Sequence, residues 1–210
     1  MTEFEWDKKL NIESCGHEYA LVDEHHHPYE PTPYSVLQRL AESSYLSAKN
    51  VLIDYGCGKG RLGFFFCHET GCKVIGVEHN DRLWRQAVDN IEGFSANVKP
   101  SFFCQKAEDF NCDGADSFYF FNPFTVEILR AVMRRIMDSY YESPRTMRLF
   151  FYYPDDEYLS FLLAGDSDGL TDQLYFLDEI DCRDLFDGSD PRERILIFET
   201  DPDAYSDYVE

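Results

Sequence analysis

Residues 51–66 read Val-Leu-Ile-Asp-Tyr-Gly-Cys-Gly-Lys-Gly-Arg-Leu-Gly-Phe-Phe-Phe. A short apolar run breaks here into three alternating glycines, Gly56, Gly58 and Gly60, before a second apolar run begins. This order predicts a strand, a tight turn and the start of a helix. Glycine allows a positive φ and lets a ligand approach the main chain, which a Cβ would prevent. The turn is therefore a candidate ligand-binding loop.

The spacing of the glycines distinguishes between two kinds of cofactor. A dinucleotide-binding fingerprint, Gly-x-Gly-x-x-Gly, requires its third glycine where this chain has Arg61. With Asp54 two residues before the first glycine, the loop resembles motif I of the class I S-adenosylmethionine-dependent methyltransferases. The resemblance implies that Asp54 lies near the methionyl amino group of S-adenosylmethionine and that the loop 56–60, Cys57 included, lies against the cofactor. A glycine-rich turn without a ligand is the alternative.

A second apolar strand, predicted at 73–77, ends in Glu78 and His79. A carboxylate at the tip of this strand can accept hydrogen bonds from both hydroxyls of a ribose. Methyltransferases of this class carry such an acid, so the resemblance implies that Glu78 and the adjoining His79 belong to the cofactor site. Alternatively, Glu78 only ends the strand or caps a helix that begins near Asp81.

Strands and helices alternate along most of the chain, which is typical of a mainly parallel sheet covered on both faces. Strands are predicted near 51–55, 73–77, 101–104, 116–121, 147–152, 174–180 and 193–199, with helices from 35 and near 60–69, 81–92, 123–141 and 155–164. About a dozen polar residues join the last two strands, too few for a crossover helix, so these strands should form an antiparallel hairpin. The expected fold is α/β: a Rossmann-like, doubly wound sheet of seven mainly parallel strands with a C-terminal antiparallel β-hairpin.

Three parts of the chain are expected: an N-terminal segment 1–33 that forms a lid over the cofactor site, a methyltransferase domain 34–200 and an acidic tail 201–210. Within the first part, Tyr29-Glu30-Pro31-Thr32-Pro33-Tyr34 resembles an element of methyltransferases related to the mitochondrial protein-lysine enzymes. The resemblance implies that Tyr29, Thr32 or Tyr34 lines the cofactor pocket. An ordinary connector is the alternative.

Two further strand ends carry candidate site residues. After the third strand, Glu108 or Asp109 stands where related methyltransferases place a residue that faces the adenine amino group. Acids favoured at the start of a helix by its dipole are the alternative explanation.

The fourth strand ends in Asn122-Pro123-Phe124, which is similar to a motif of methyltransferases acting on amino nitrogens but has one proline fewer. The amide oxygen of Asn122 could accept a hydrogen bond from an attacking amine and orient its lone pair, while Pro123 and Phe124 hold the substrate. Alternatively, Asn122 caps the long helix, Pro123 occupies its first turn and Phe124 packs in the core.

The net charge of the chain limits the classes of molecule that it is expected to bind. The chain has 19 Lys and Arg against 40 Asp and Glu, a net charge of −21. Such a surface repels phosphate backbones, so no nucleic acid is expected as partner. A small molecule or a basic protein is the expected acceptor, and the sequence leaves open whether the protein forms a homodimer.

Cysteines and hydropathy indicate the compartment. The seven cysteines are scattered, without Cys-x-x-Cys spacing, which argues against a disulfide framework or a zinc site. The histidines at 25–27 are consecutive and do not converge easily on one ion, so no metal is expected. No run approaches the ~18 apolar residues of a membrane helix, and no secretory signal is evident. A cytoplasmic location without membrane attachment is expected.

Together these features predict an S-adenosylmethionine-dependent methyltransferase that acts on a small-molecule or protein acceptor, with an amino nitrogen among the candidates. Two alternatives stay open. One is a catalytically silent, methyltransferase-like interaction subunit, and the other is an NAD- or flavin-dependent oxidoreductase, which the glycine spacing disfavours.

Overall fold

The computed structural model describes residues 1–16, 29–164 and 169–200. It contains a seven-stranded sheet with helices on both faces. The strands are β1 (Val51–Tyr55), β2 (Lys73–Glu78), β3 (Ser101–Cys104), β4 (Ser117–Phe120), β5 (Arg148–Tyr152), β6 (Leu174–Asp181) and β7 (Arg194–Thr200). The helices are α1 (Glu3–Leu10), α2 (Tyr34–Glu42), α3 (Arg61–Glu69), α4 (Asp81–Gly93), α5 (Val126–Glu142) and α6 (Asp156–Ala164), with 3₁₀ turns at Ala107–Asp109 and Arg183–Leu185.

The sheet has the order β3-β2-β1-β4-β5-β7-β6. The first five of these strands run parallel, and β7 pairs antiparallel with both β5 and β6. The predicted fold class, with its C-terminal hairpin, is confirmed. The strand order reverses between β1 and β4, and open α/β sheets bind ligands beyond the carboxyl ends of the strands at such a point.

Two apolar layers cover the two faces of the sheet. Ile53 and Tyr55 face a core formed mainly by α5 and α6, whereas Leu52 faces a core formed by α1, α2 and α3. Because side chains alternate along a strand, Asp54 lies on the same face as Leu52. This places its carboxyl group on the side of the N-terminal helices.

Helix α1 is a departure from the sequence prediction, in which the first helix begins at 35. It begins with a capping box in which Thr2 and Glu5 bind each other's main-chain N–H groups. Its buried Trp6 stacks on Tyr34 of α2 at 5.4 Å and meets Phe65 of α3 edge-on. The N-terminal helix therefore belongs to the core. The histidines at 25–27 and the predicted tail 201–210 lie outside the described residues.

The start of α5 also differs from the prediction. The helix begins at Val126, with Thr125 as its N-cap, rather than at 123. Asn122 therefore does not cap it, and this alternative for Asn122 is wrong. Its φ of 39° instead places Asn122 in the left-handed region, in a loop between strand and helix. Among the described residues, no helix has the length and apolar character needed to cross a membrane.

Candidate cofactor and acceptor site

A cavity of about 290 Å³ opens beyond the carboxyl ends of β1, β2 and β4, where the strand order reverses. This volume lies just below the range for small-molecule sites, about 300–1,000 Å³. Ten residues predicted for the site contribute to the wall: Tyr29, Thr32, Asp54, Gly56, Cys57, Glu78, His79, Asn122, Pro123 and Phe124. Residues far apart in the sequence thus converge on one cavity.

The glycine loop is shaped by close packing. Gly58 has a φ of 54°, and a Cβ added to it would lie 2.1 Å from the ring of Tyr29. Its main-chain N–H donates to the carboxylate of Glu78 at 2.9 Å. Only a glycine fits between this ring and this hydrogen bond.

Glu78 is held in a fixed orientation by the main chain. One carboxylate oxygen accepts from the N–H of Gly58, and the other accepts from the N–H of Asn80 at 2.8 Å. The carboxylate is thus fixed in the wall of the cavity. A carboxylate at this position can accept hydrogen bonds from ribose hydroxyls.

Asp54 has a different environment. It is 6% exposed, it lines the cavity, and its carboxyl group has no hydrogen-bond partner among the described residues. Burial, together with the nearby charge of Glu78, raises the pKa of Asp54 to about 8. A buried carboxyl group without a partner is costly, and a bound cation would remove much of that cost.

The segment that follows position 28 closes one side of the cavity. The Tyr29 hydroxyl donates to the carbonyl of Ser14 at 2.8 Å, and Thr32 shares a hydrogen bond of 3.1 Å with the Tyr119 hydroxyl. At the start of α3, buried Arg61 donates to the Ser14 hydroxyl at 2.8 Å and to the carbonyl of Thr32 at 3.2 Å. Arg61 thereby ties two N-terminal stretches to the helix that follows the glycine loop.

Five predicted residues do not contribute to the cavity wall: Tyr34, Gly58, Gly60, Glu108 and Asp109. Gly58 lies behind Tyr29, and Gly60 is the N-cap of α3. Tyr34 is buried, and its hydroxyl donates to Asp7 at 2.7 Å. Glu108 and Asp109 belong to the 3₁₀ turn Ala107–Asp109, where Ala107 and the preceding Gln105 line the cavity instead.

On the far side of the cavity, the loops after β4 and β5 are joined. The Asn122 amide group donates to the carbonyl of Tyr153 at 2.6 Å, and its oxygen accepts from the N–H of Asp155 at 3.4 Å. Phe121 and Tyr153 also line the cavity, and their rings meet edge to face at 6.2 Å. This aromatic side is suited to an aliphatic or flat acceptor.

Sequence reasoning missed Gln105, Tyr119, Phe121, Tyr153 and Arg61 as cavity residues. Tyr153 immediately follows a predicted strand, so the strand-end rule applied to β5 would have found it. Tyr119 lies beside Asp54 because these two residues are paired in the parallel ladder of β1 and β4. This pairing depends on the strand order, which could not be predicted from the sequence.

No protein-family model matches the chain. A protein-lysine N-methyltransferase of Saccharolobus islandicus is 38% identical over 84 residues, which cover 37% of this chain and 52% of that protein. The match thus spans about half the length of this curated relative.

Solved structures resemble the chain over a larger part of its length. A dimethyladenosine transferase from Plasmodium falciparum matches with a TM-score of 0.55 and 14% identity, over 85% of this chain and 66% of that one. Magnesium protoporphyrin IX methyltransferase from Synechocystis, with bound S-adenosylhomocysteine, matches with a TM-score of 0.54 and 15% identity, over 80% and 81%. The chain therefore has the fold of the class I S-adenosylmethionine-dependent methyltransferases.

Proposed function

We propose that this protein is an S-adenosylmethionine-dependent methyltransferase. The observation that carries the proposal is Asp54, a buried carboxyl group beside a glycine loop in a cavity, with no hydrogen-bond partner in the part of the chain that the structure describes. The amino group of S-adenosylmethionine is a cation that would complement it. The pyrophosphate of a dinucleotide at the glycine loop would instead meet the acid Asp54, and like charges at short range repel.

The residues of the cavity fit the remaining parts of this cofactor. Glu78 lines the cavity with its carboxylate oriented by two main-chain N–H groups, where it can accept from the ribose hydroxyls, and Gln105 and Ala107 border the cavity where the base would lie. When bound, S-adenosylmethionine supplies a methyl group made electrophilic by its sulfonium. The chain then has to orient the acceptor, exclude water and leave the acceptor nitrogen unprotonated.

We infer that the acceptor is an amino nitrogen, with protein lysine as the substrate class. The name of the curated relative supports this choice, and so does the net charge of −21, which attracts basic partners. The rings of Phe121 and Tyr153 provide a surface for the methylene groups of a lysine. The Asn122 oxygen retains a lone pair to accept a hydrogen bond from the amine.

Calorimetric titration with S-adenosylhomocysteine tests cofactor binding. Wild type should bind at micromolar concentration, and Gly58→Val should not, because its side chain would displace Tyr29. Gly114→Val is the matched control, since Gly114 also has a positive φ of 77° but has open space around it. Tighter binding of NAD than of S-adenosylhomocysteine would contradict the proposal.

Mass spectrometry of a lysine-rich peptide incubated with S-adenosylmethionine tests turnover. Wild type should add 14-Da increments to the peptide, and the same peptide with acetylated lysines should stay unmodified. Cofactor binding without transfer to any amine would identify a silent interaction subunit instead.

A further inference from the structure

Tyr153 has an unusual backbone conformation at the edge of the cavity. Its φ is 51°, in the left-handed region that a bulky aromatic residue rarely adopts. Its hydrogen-bonding neighbour Asn122 is also left-handed, with a φ of 39°. Such strain persists where the surrounding structure over-determines it, which occurs preferentially at functional sites.

The ring of Tyr153 is held from the turn between β6 and β7. Its hydroxyl donates to the Asp190 carboxylate at 2.5 Å and accepts from the Arg192 guanidinium at 2.7 Å. The same guanidinium lies 4.5 Å from the ring centroid and donates to Asp190 at 2.8 Å. Two residues of the C-terminal hairpin therefore fix a side chain that borders the cavity.

These contacts limit what Tyr153 can do chemically. The carboxylate of Asp190 raises the pKa of Tyr153 to about 12, so the phenol keeps its proton near neutral pH. That proton is already donated, and the hydroxyl oxygen already accepts one hydrogen bond. The hydroxyl is an anchor, and the ring is the part that remains to contact an acceptor.

We propose that Tyr153 determines acceptor specificity, with its ring as a fixed wall of the acceptor side, and that Asp190 is a positioning residue acting through the Tyr153 hydroxyl. This inference rests on the proposed function and deepens it. A wall fixed in place favours an unbranched alkyl amine, which packs its methylene groups against the ring beside Phe121. Loss of the anchor lets the ring move, so the acceptor binds less tightly while the cofactor is unaffected.

The test is a double-mutant cycle with Tyr153→Phe, Asp190→Ala and the double variant, assayed on the lysine-rich peptide. Asp190→Ala should raise the peptide KM about fivefold, as loss of one hydrogen bond of about 1 kcal/mol predicts at 1.4 kcal/mol per tenfold. Tyr153→Phe should raise it at least as much, because it also removes the hydrogen bond from Arg192. The kcat and the affinity for S-adenosylhomocysteine should stay within twofold, about the resolution of such assays. The double variant should equal Tyr153→Phe, because Asp190 acts on the acceptor only through the Tyr153 hydroxyl.

Tyr175→Phe is the matched control. It removes a tyrosine hydroxyl that donates to a carboxylate, Glu199, at 2.6 Å in the same hairpin but away from the cavity wall. The control should leave the peptide KM unchanged.

The outcomes of these assays distinguish failure of this inference from failure of the proposed function. An unchanged KM in Tyr153→Phe, additive effects in the cycle, or an equal rise in Tyr175→Phe would overturn the inference and leave the proposed function in place. A wild type that binds S-adenosylhomocysteine but methylates no amine would overturn both.

Discussion

The affinity for S-adenosylhomocysteine should depend on pH through a single residue, Asp54. In the free protein its carboxyl group is buried without a partner among the described residues, with a pKa of about 8. Binding of a cationic amino group requires the carboxylate, so Asp54 has to release its proton below that pH. Asp54→Asn removes this proton while it preserves the size of the side chain.

The size of the effect follows from the pKa. At pH 6 about one Asp54 in a hundred is ionised, and at pH 8 about half are. The α-amino group of the ligand stays charged over the same interval, because the ligand is a free amino acid whose own carboxylate stabilises the ammonium group. The affinity should therefore rise about 50-fold from pH 6 to pH 8, close to tenfold per unit at the acidic end.

Calorimetry at pH 6 in two buffers of different protonation enthalpy directly measures the number of protons released when the ligand binds. We expect about one proton released per ligand bound by wild type and none by Asp54→Asn, whose affinity should change little between pH 6 and pH 8. Equal affinities at the two pH values and no proton release by wild type would refute the assignment of Asp54 to the ligand's amino group.

The stability of the free protein should change with pH in the opposite direction to the affinity, because it should fall as the pH rises. The pKa of Asp54 lies near 8 in the folded protein, above the value of 3.8 for an unperturbed carboxyl group. The folded state thus binds the additional proton between these pH values. The contribution of Asp54 to the free energy of unfolding is fully present below about pH 4 and is lost as the pH rises to about 8. Urea titrations of wild type and Asp54→Asn should diverge over this interval.

Three further substitutions test the packing and electrostatics of the site. Gly58→Ala places a Cβ 2.1 Å from the Tyr29 ring, so the free energy of unfolding should fall by about 1–3 kcal/mol in a urea titration; unchanged stability would contradict this packing. Arg61→Met removes the guanidinium that ties the N-terminal segment to α3, so it should lower the free energy of unfolding by about 3 kcal/mol in the same titration. Arg61→Lys should recover only part of this free energy. Glu78→Gln should move the midpoint of proton release to lower pH, because the Glu78 charge adds to the effect of burial on Asp54; a fixed midpoint would mean that burial alone sets this pKa.

Much of the fold could be predicted because its elements are long enough to show their period. The seven strands and the longer helices begin and end within a few residues of their predicted positions. Helix α1 was missed because eight residues show too little periodicity. Its capping box, Thr2 with Glu5, was nevertheless visible in the sequence, and it was the more reliable signal for so short a helix.

The proposed cofactor side of the cavity, with Asp54 and Glu78, could be predicted more fully than the proposed acceptor side, with Tyr153. Asp54 and Glu78 are among the last two residues of strands that precede helices, so a local sequence pattern predicts their positions. Tyr153 depends on contacts with Asp190 and Arg192, which lie in a different part of the chain. No local pattern reports such a pairing, and it follows only from the position of β7 beside β5.

The glycine at position 58 has a structural role that differs in part from the one the sequence suggested. A glycine at position 58 was expected to leave space for a ligand against the main chain. In the structure, the ring of Tyr29 occupies that space, while the N–H of Gly58 binds Glu78. The glycine therefore serves the site indirectly, because it lets an N-terminal residue reach the cavity wall and orients a carboxylate. A glycine motif of this kind indicates that another group packs closely against the main chain, and this group can belong to the protein as well as to a ligand.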